Sequence, residues 1–192
     1  MKNAILIHGW NTKAEYYDAT RPTASNDHWF PWLTKQLVLR DINTVAIEMP
    51  NGYYPEYEVW KRELERYDIT NQTILVGHSC GGGFLVRWLS ENDVKVGRVI
   101  LVAPWLGYDT EGEPFDASFF QFKIDSSLAS KAESVRVLCS DNDDASIQRS
   151  VAEIVGAVDG IVTTKLQGKG HFTLHSLGTH KFPELLDEIT KE

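Results

Sequence analysis

Cysteine is scarce in this chain. The two that occur, Cys80 and Cys139, cannot supply a disulfide framework or a multi-cysteine zinc site. Long hydrophobic runs are missing too. The opening "MKNAILIHGWN" carries one lysine and four apolar residues in a row, too short for a signal-peptide core and far too short to cross a bilayer. Positive charge is in deficit: 19 Lys and Arg against 27 Asp and Glu give a formal net charge of −8. That argues against a nucleic-acid partner, which needs clustered Lys and Arg, and against steering of strongly anionic substrates. Internal repeats, low-complexity tracts and interdomain linkers are also absent. The expectation is one soluble, cytoplasmic domain over residues 1–192, with no membrane partner and enough length to bury a sizeable core.

What is present alternates. "AILIH" (4–8), "TVAIE" (44–48), "TILVG" (73–77), "RVILVA" (98–103), "VRVLC" (135–139) and "IVTTKL" (161–166) read as strands. They are rich in β-branched residues, and those apolar nearly throughout suit a sheet covered on both faces. Helical stretches fall between them: "PWLTKQLVLR" (31–40), "EYEVWKRELERY" (56–67), "GFLVRWLSEN" (83–92), "SVAEIVGAV" (150–158) and "FPELLDEITKE" (182–192). Strand–helix alternation of this kind builds an α/β fold, about six parallel strands with helices on both faces. Two connections are long, 11–28 and 104–132. The second holds Phe115, Phe119, Phe120 and Phe122, and reads either as a small lid or as an irregular helix capping the core.

In such a sheet, ligands bind beyond the carboxyl ends of the strands. The residues found there are His8-Gly9-Trp10-Asn11 after the first strand and "GHSCGGG" (77–83) after the third. "SDNDD" (140–144) follows the fifth and "GKGHF" (168–172) the sixth. Gly77-His78-Ser79-Cys80-Gly81 fits G-x-S-x-G, a sharp strand-to-helix turn that exposes a serine hydroxyl. Glycines two residues either side are needed because a Cβ there would strike the neighbouring strand or helix. Shifting the pattern by one, to make Cys80 the nucleophile, would put His78 where glycine is required. Ser79 is therefore the candidate nucleophile. The Cys80 thiol reads as a small packed hydrophobe, while its backbone N–H is placed to face an oxyanion.

The order Ser…Asp…His is that of the hydrolase fold. His171, preceded by Gly168 and Gly170 in a flexible turn, is the candidate base. His175 and His180 read as structural loop histidines, His8 as shaping its turn, and His28 lies upstream of the usual base position. Asp141, Asp143 and Asp144 share one loop and all three are open as the acid that orients His171. Trp10 N–H is the second expected oxyanion donor. Trp10, Tyr53, Tyr54, Trp105 and the phenylalanines of the long connection read either as the lining of an apolar pocket, for which Tyr53, Trp105 and Phe172 are the named candidates, or as core.

These motifs, with "HWFPWLTKQL", "MPNG", "VWKRELE" and "RVILVAPW", make the chain resemble the small α/β-hydrolase family of retinoblastoma-binding protein 9 and its bacterial YdeN-like serine-hydrolase relatives. The likeness runs through nearly the whole length. It implies a three-layer α/β-hydrolase fold with six parallel strands, lacking the early hairpin and large cap domain of bigger relatives. It maps the nucleophile to Ser79, the base to His171 and the acid to Asp143. This chain has Asp144 where the family usually has proline, so Asp141 and Asp144 stay as alternatives. A retinoblastoma-type partner is not supported, because no L-x-C-x-E stretch occurs.

The expectation is thus a carboxylesterase-like serine hydrolase that cleaves a small ester, thioester or amide through an acyl-enzyme. Its partner would be a small-molecule acyl substrate, and no metal or organic cofactor is called for. The alternatives are a slow, hydrolase-shaped binding protein, since fold alone does not fix function, and an acyltransferase that uses the same residues with a different acceptor.

Overall fold

Six strands pair in parallel throughout, in the computed structural model, which describes residues 2–108 and 116–191. They are β1 (Asn3–Ile7), β2 (Asn43–Ile47), β3 (Thr73–His78), β4 (Val96–Val102), β5 (Ala132–Ser140) and β6 (Val162–Leu166). Their order in the sheet is β2-β1-β3-β4-β5-β6. The chain leaves β1 for one edge and then returns to β3 on the opposite side of β1. That reversal opens a crevice above the carboxyl ends of β1 and β3.

Burial follows position in the sheet. All six residues of β3 are buried, as are Ala4–Ile7 of β1. At the edge, β6 has Val162 and Thr163 exposed, which is why "VTTKL" mixes polar residues into a strand. Helices close both faces. Helix α2 (Phe30–Val38) starts with Pro31 in its first turn and buries Phe30, Leu33 and Leu37, a spacing that puts all three on one face. Helix α3 (Tyr57–Leu64) buries Tyr57, Trp60 and Leu64 on the same logic. Helices α5 (Ala145–Ala157) and α7 (Pro183–Thr190) bury Ile147, Val151 and Ile154, and Leu185, Leu186 and Ile189.

Helix α4 (Cys80–Glu91) is the central one, buried from Cys80 to Val86 and again at Trp88 and Leu89. The sequence predicts its start at residue 83, yet it begins three residues earlier and takes Gly81, Gly82 and Gly83 into its first turn. Tight packing overrides propensity here. Two single-turn helices, α1 (Lys13–Tyr16) and α6 (Leu174–Leu177), are too short for a periodic signal to reveal.

The connection 104–132 resolves in its described part toward the core. Phe119 is fully buried against Trp60, with ring centroids 5.3 Å apart, and Phe120 packs on Trp105. Leu128 is also buried. Phe115 lies outside the described residues. No helix among the described residues is long and apolar enough to cross a membrane.

Candidate active site

The turn from β3 into α4 holds Ser79 at φ 55° and ψ −120°, a backbone conformation costly for any residue but glycine. The surroundings over-determine it. Ser79 N–H donates to Val102 O at 2.9 Å, and Ser79 O accepts from Gly82, Gly83 and Trp105 N–H at 3.0, 3.1 and 3.0 Å. Gly77 and Gly81 permit the bend by close approach: a Cβ on Gly77 would lie 2.5 Å from Gly81 O, and one on Gly81 would strike the carbonyls of Ile7 and His8. Cys80 opens α4, so its N–H belongs to the first turn, whose donors have no intrahelical partner. Burial pushes its thiol pKa well up, so the sulfur stays protonated and packed.

Across the switch point, the turn after β1 comes against Ser79. A Cβ on Gly9 would sit 2.9 Å from Ser79 Cβ. Trp10 follows, and its indole N–H donates to Tyr53 O at 3.0 Å, which fixes the backbone of the turn. His8 does shape this turn: its Nδ1 pairs with Gly9 O at 2.7 Å and its Nε2 accepts from Met49 N–H at 2.9 Å. Those two bonds define one neutral tautomer. Burial lowers its pKa against the weaker raising effects of Gly9 O and Glu48.

The loop after β5 and the turn after β6 are laced together. Asp141 Oδ1 accepts from Gly168 N–H at 2.7 Å, Ser140 Oγ from Lys169 N–H at 3.0 Å, and Asn142 Oδ1 from Gly170 N–H at 2.8 Å. Ser140 Oγ also donates to Asn142 Oδ1 at 2.7 Å. These three residues therefore splint the turn that carries His171. The fourth, Asp143, has its side chain 2% exposed and both carboxylate oxygens 3.1 Å from His171 Nδ1. Asp144 is exposed at the start of α5. Of the three aspartates, only Asp143 meets His171. The splinting role of Ser140 and Asn142 was missed in the sequence because their partners are backbone amides contributed by another loop.

Ser79 and His171 line one cleft of about 80 Å³, with His8, Trp10, His28 and His78 among its other walls. A larger cavity of about 420 Å³ shares Asn11, Ala24 and Asp27 with it and extends past Glu48, Tyr16 and Tyr17. His78 is buried, with its Nε2–H donating to His171 O at 2.8 Å. Burial, reinforced by His171 and His28, holds its pKa well below 6.5, so it is a neutral strut under His171.

The pocket residues expected from sequence lie elsewhere. Phe172 is fully buried, stacked 5.1 Å from Phe182, and its carbonyl accepts the Trp29 indole N–H at 3.0 Å. It anchors the His171 turn in the core instead of lining the cleft. The Tyr53 ring clusters with Tyr16 and Tyr17 and reaches the cleft only through its carbonyl on Trp10. Trp105 packs on Phe120 and supports the Ser79 turn through its backbone N–H. The cleft walls found in their place, His28 and Asp27, come from the long 11–28 connection, where no periodic pattern points inward. His180 Nδ1–H donates to His28 O at 2.6 Å, a structural role as expected. Among the described residues no group of His, Cys, Asp and Glu is arranged to hold a metal ion.

The family described as serine hydrolase matches residues 4–191. The ydeN gene product of Bacillus subtilis (strain 168) is 26% identical over 98% of this chain and 95% of its own. Its crystal structure superposes with a TM-score of 0.79 over 99% of this chain and 97% of that one. Est1E from Butyrivibrio proteoclasticus, 15% identical, gives 0.64 over 99% and 89%. An α/β serine hydrolase without lid from Xanthomonas campestris, 14% identical, gives 0.61 over 97% and 79%. The last two likenesses speak for the fold alone.

Proposed function

Because the chain belongs to the serine hydrolase family and has the α/β-hydrolase fold, we propose that it cleaves a small ester, thioester or amide with Ser79, His171 and Asp143. The observation that carries this reading is the pairing of His171 Nδ1 with both Asp143 oxygens at 3.1 Å, in a cleft that also contains Ser79. A carboxylate on Nδ1 keeps the proton there and leaves Nε2 as the base.

Ser79 Oγ attacks the carbonyl carbon as His171 Nε2 takes the hydroxyl proton. The carbonyl electron pair moves to oxygen, where the Cys80 and Trp10 N–H groups receive it. Collapse of this intermediate breaks the bond to the leaving group, which departs with the proton from His171. Water then repeats the sequence on the acyl-serine and releases the acid. Asp143 stabilises the imidazolium through both halves without itself taking the proton. These steps run on side chains and backbone amides alone. The narrow cleft supports a short acyl group.

A fluorophosphonate probe tests the reading. It should label wild-type protein at Ser79, and Ser79→Ala should neither label nor turn over an acyl ester panel while unfolding at an unchanged or similar temperature. Folded wild type that resists the probe, or activity retained by Ser79→Ala, would overturn it.

A further inference from the structure

We propose that His28 is a substrate-binding donor, its Nε2–H gripping a second oxygen carried on the alcohol half of an ester. The inference rests on the serine-hydrolase reading above and extends it to the substrate.

His28 lines the same cleft as Ser79 and His171. Its tautomer is set by the backbone: Leu174 N–H donates to His28 Nδ1 at 3.2 Å. A nitrogen that accepts an N–H carries no proton of its own, so the ring's proton is on Nε2. Among the described residues, Nε2 has no protein partner. Burial lowers the pKa of this ring, with Asp27 opposing and Arg21 and His171 adding to the effect. The neutral form, with its proton on Nε2, is the form present at pH 7.

The ring is also held at a cost. His28 has φ 53°, a left-handed backbone that a histidine rarely adopts. The strain is locked by Asp27 Oδ1, which accepts His28 N–H at 2.6 Å, and by His180 on His28 O. Strain of this kind clusters at active sites and ligand clamps.

Which half of the substrate it meets follows from its neighbours. His28 is tied to Leu174 and His180, on the segment that follows His171, and its ring is 6.3 Å from that of His78, itself 4.9 Å from the His171 ring. It therefore stands on the side to which the leaving group departs as His171 protonates it. The adjoining cavity past Asp27 gives that half room to extend. An alkoxy- or hydroxy-alcohol ester fits this arrangement, whereas a plain alkyl ester leaves the donor unpaired, and sites built around a buried hydrogen bond discriminate against such analogues.

The test pairs 2-methoxyethyl acetate with its isostere butyl acetate, each rate corrected for alkaline hydrolysis. Wild type should favour the ether ester in kcat/KM by about tenfold, the size of a single well-placed hydrogen bond. His28→Asn tolerates the left-handed backbone and keeps an acceptor for Leu174 N–H, but removes the cleft donor. It should erase the preference, bringing the kcat/KM ratio of the two esters to about one, while the fluorophosphonate still attaches at Ser79. His28→Gln, which returns an N–H near the Nε2 position, should recover part of the preference. No preference in wild type overturns the proposal, as does a His28→Asn variant that slows both esters and labelling alike. Absence of labelling in wild type overturns the serine reading and this one with it. The wild-type ratio is decisive even where the Asn variant fails to fold.

Discussion

The two ends of the sheet follow opposite rules. At the carboxyl end, the described residues hold five non-glycine positions with positive φ: His28, Asn51, Ser79, Ala103 and Phe172; at the amino end stands Asp41 alone. The amino end instead sets cations on helix-end carbonyls. The Arg98 guanidinium donates to Ile189 O and Lys191 O, both at 2.6 Å, at the end of α7. Lys131 Nζ does the same for Leu89 O and Asn92 O, at 2.7 and 3.0 Å, at the end of α4. Cations on the terminal carbonyls of a helix satisfy orphan acceptors and complement its dipole. The difference teaches where this fold stores cost: strain collects where chemistry is proposed, and the opposite end supplies stability without it.

The largest expected effect breaks the carboxyl end alone. Asp143→Asn keeps the shape of the side chain but presents an amide to His171 Nδ1, which favours the wrong tautomer. We expect kcat on an acyl ester to fall by roughly 1,000- to 10,000-fold, the scale of such a change in serine proteases. Steady-state kinetics beside a thermal melt checks this. A fall below tenfold would remove Asp143 from the mechanism.

Ser79→Gly and Arg98→Met set the two ends against each other in stability. Glycine accepts φ 55° freely, so Ser79→Gly should abolish turnover yet stabilise the protein by about 1 kcal/mol, after the entropy that glycine itself loses. For a chain of this size that raises Tm by roughly 2–4 °C. Arg98→Met should leave kcat unchanged and cost about 1–2 kcal/mol by stranding helix-end carbonyls. If both variants lost stability, the strain at Ser79 would be absent and the contrast between the ends would fall.

That contrast also marks what the sequence revealed. The central strands were legible because buried parallel strands are apolar runs, and "GHSCGG" because a sharp turn needs glycine at fixed offsets. Of the single residues singled out at strand ends, Ser79 and His171 line one cleft, and Asp143 meets His171. What escaped was long-range and irregular. The walls His28 and Asp27 arrive from a connection with no period, and the splints Ser140, Asp141 and Asn142 act on amides of another loop. Phe172, a pocket candidate in the sequence, has its backbone at φ 56° and its ring buried in the core.

The smallest effect separates the two ends by pH. His8 and His78, both at the carboxyl end, have pKa values pushed below the ordinary 6.5 by burial. The unfolded chain thus binds protons that the folded one refuses. Their stabilising contribution is fully present above pH 6.5 and is lost as pH falls below it, at up to about 1.4 kcal/mol per pH unit for each ring. Glu188 on α7, nearer the amino end, responds later. Burial pushes its carboxyl up, but hydrogen bonds from Lys191 and Thr164 and the Arg136 charge outweigh this and hold it below the ordinary 4.5. Its contribution persists above pH 4.5 and is lost only beneath it. Urea midpoints at pH 7.0, 5.5 and 4.0 should therefore fall in two stages. His78→Gln should flatten the fall below pH 6.5 by about 1 kcal/mol per pH unit. An unflattened first stage would show that the His78 ring takes up its proton in the folded state without cost, and that the carboxyl end is no more sensitive to acid than the amino end.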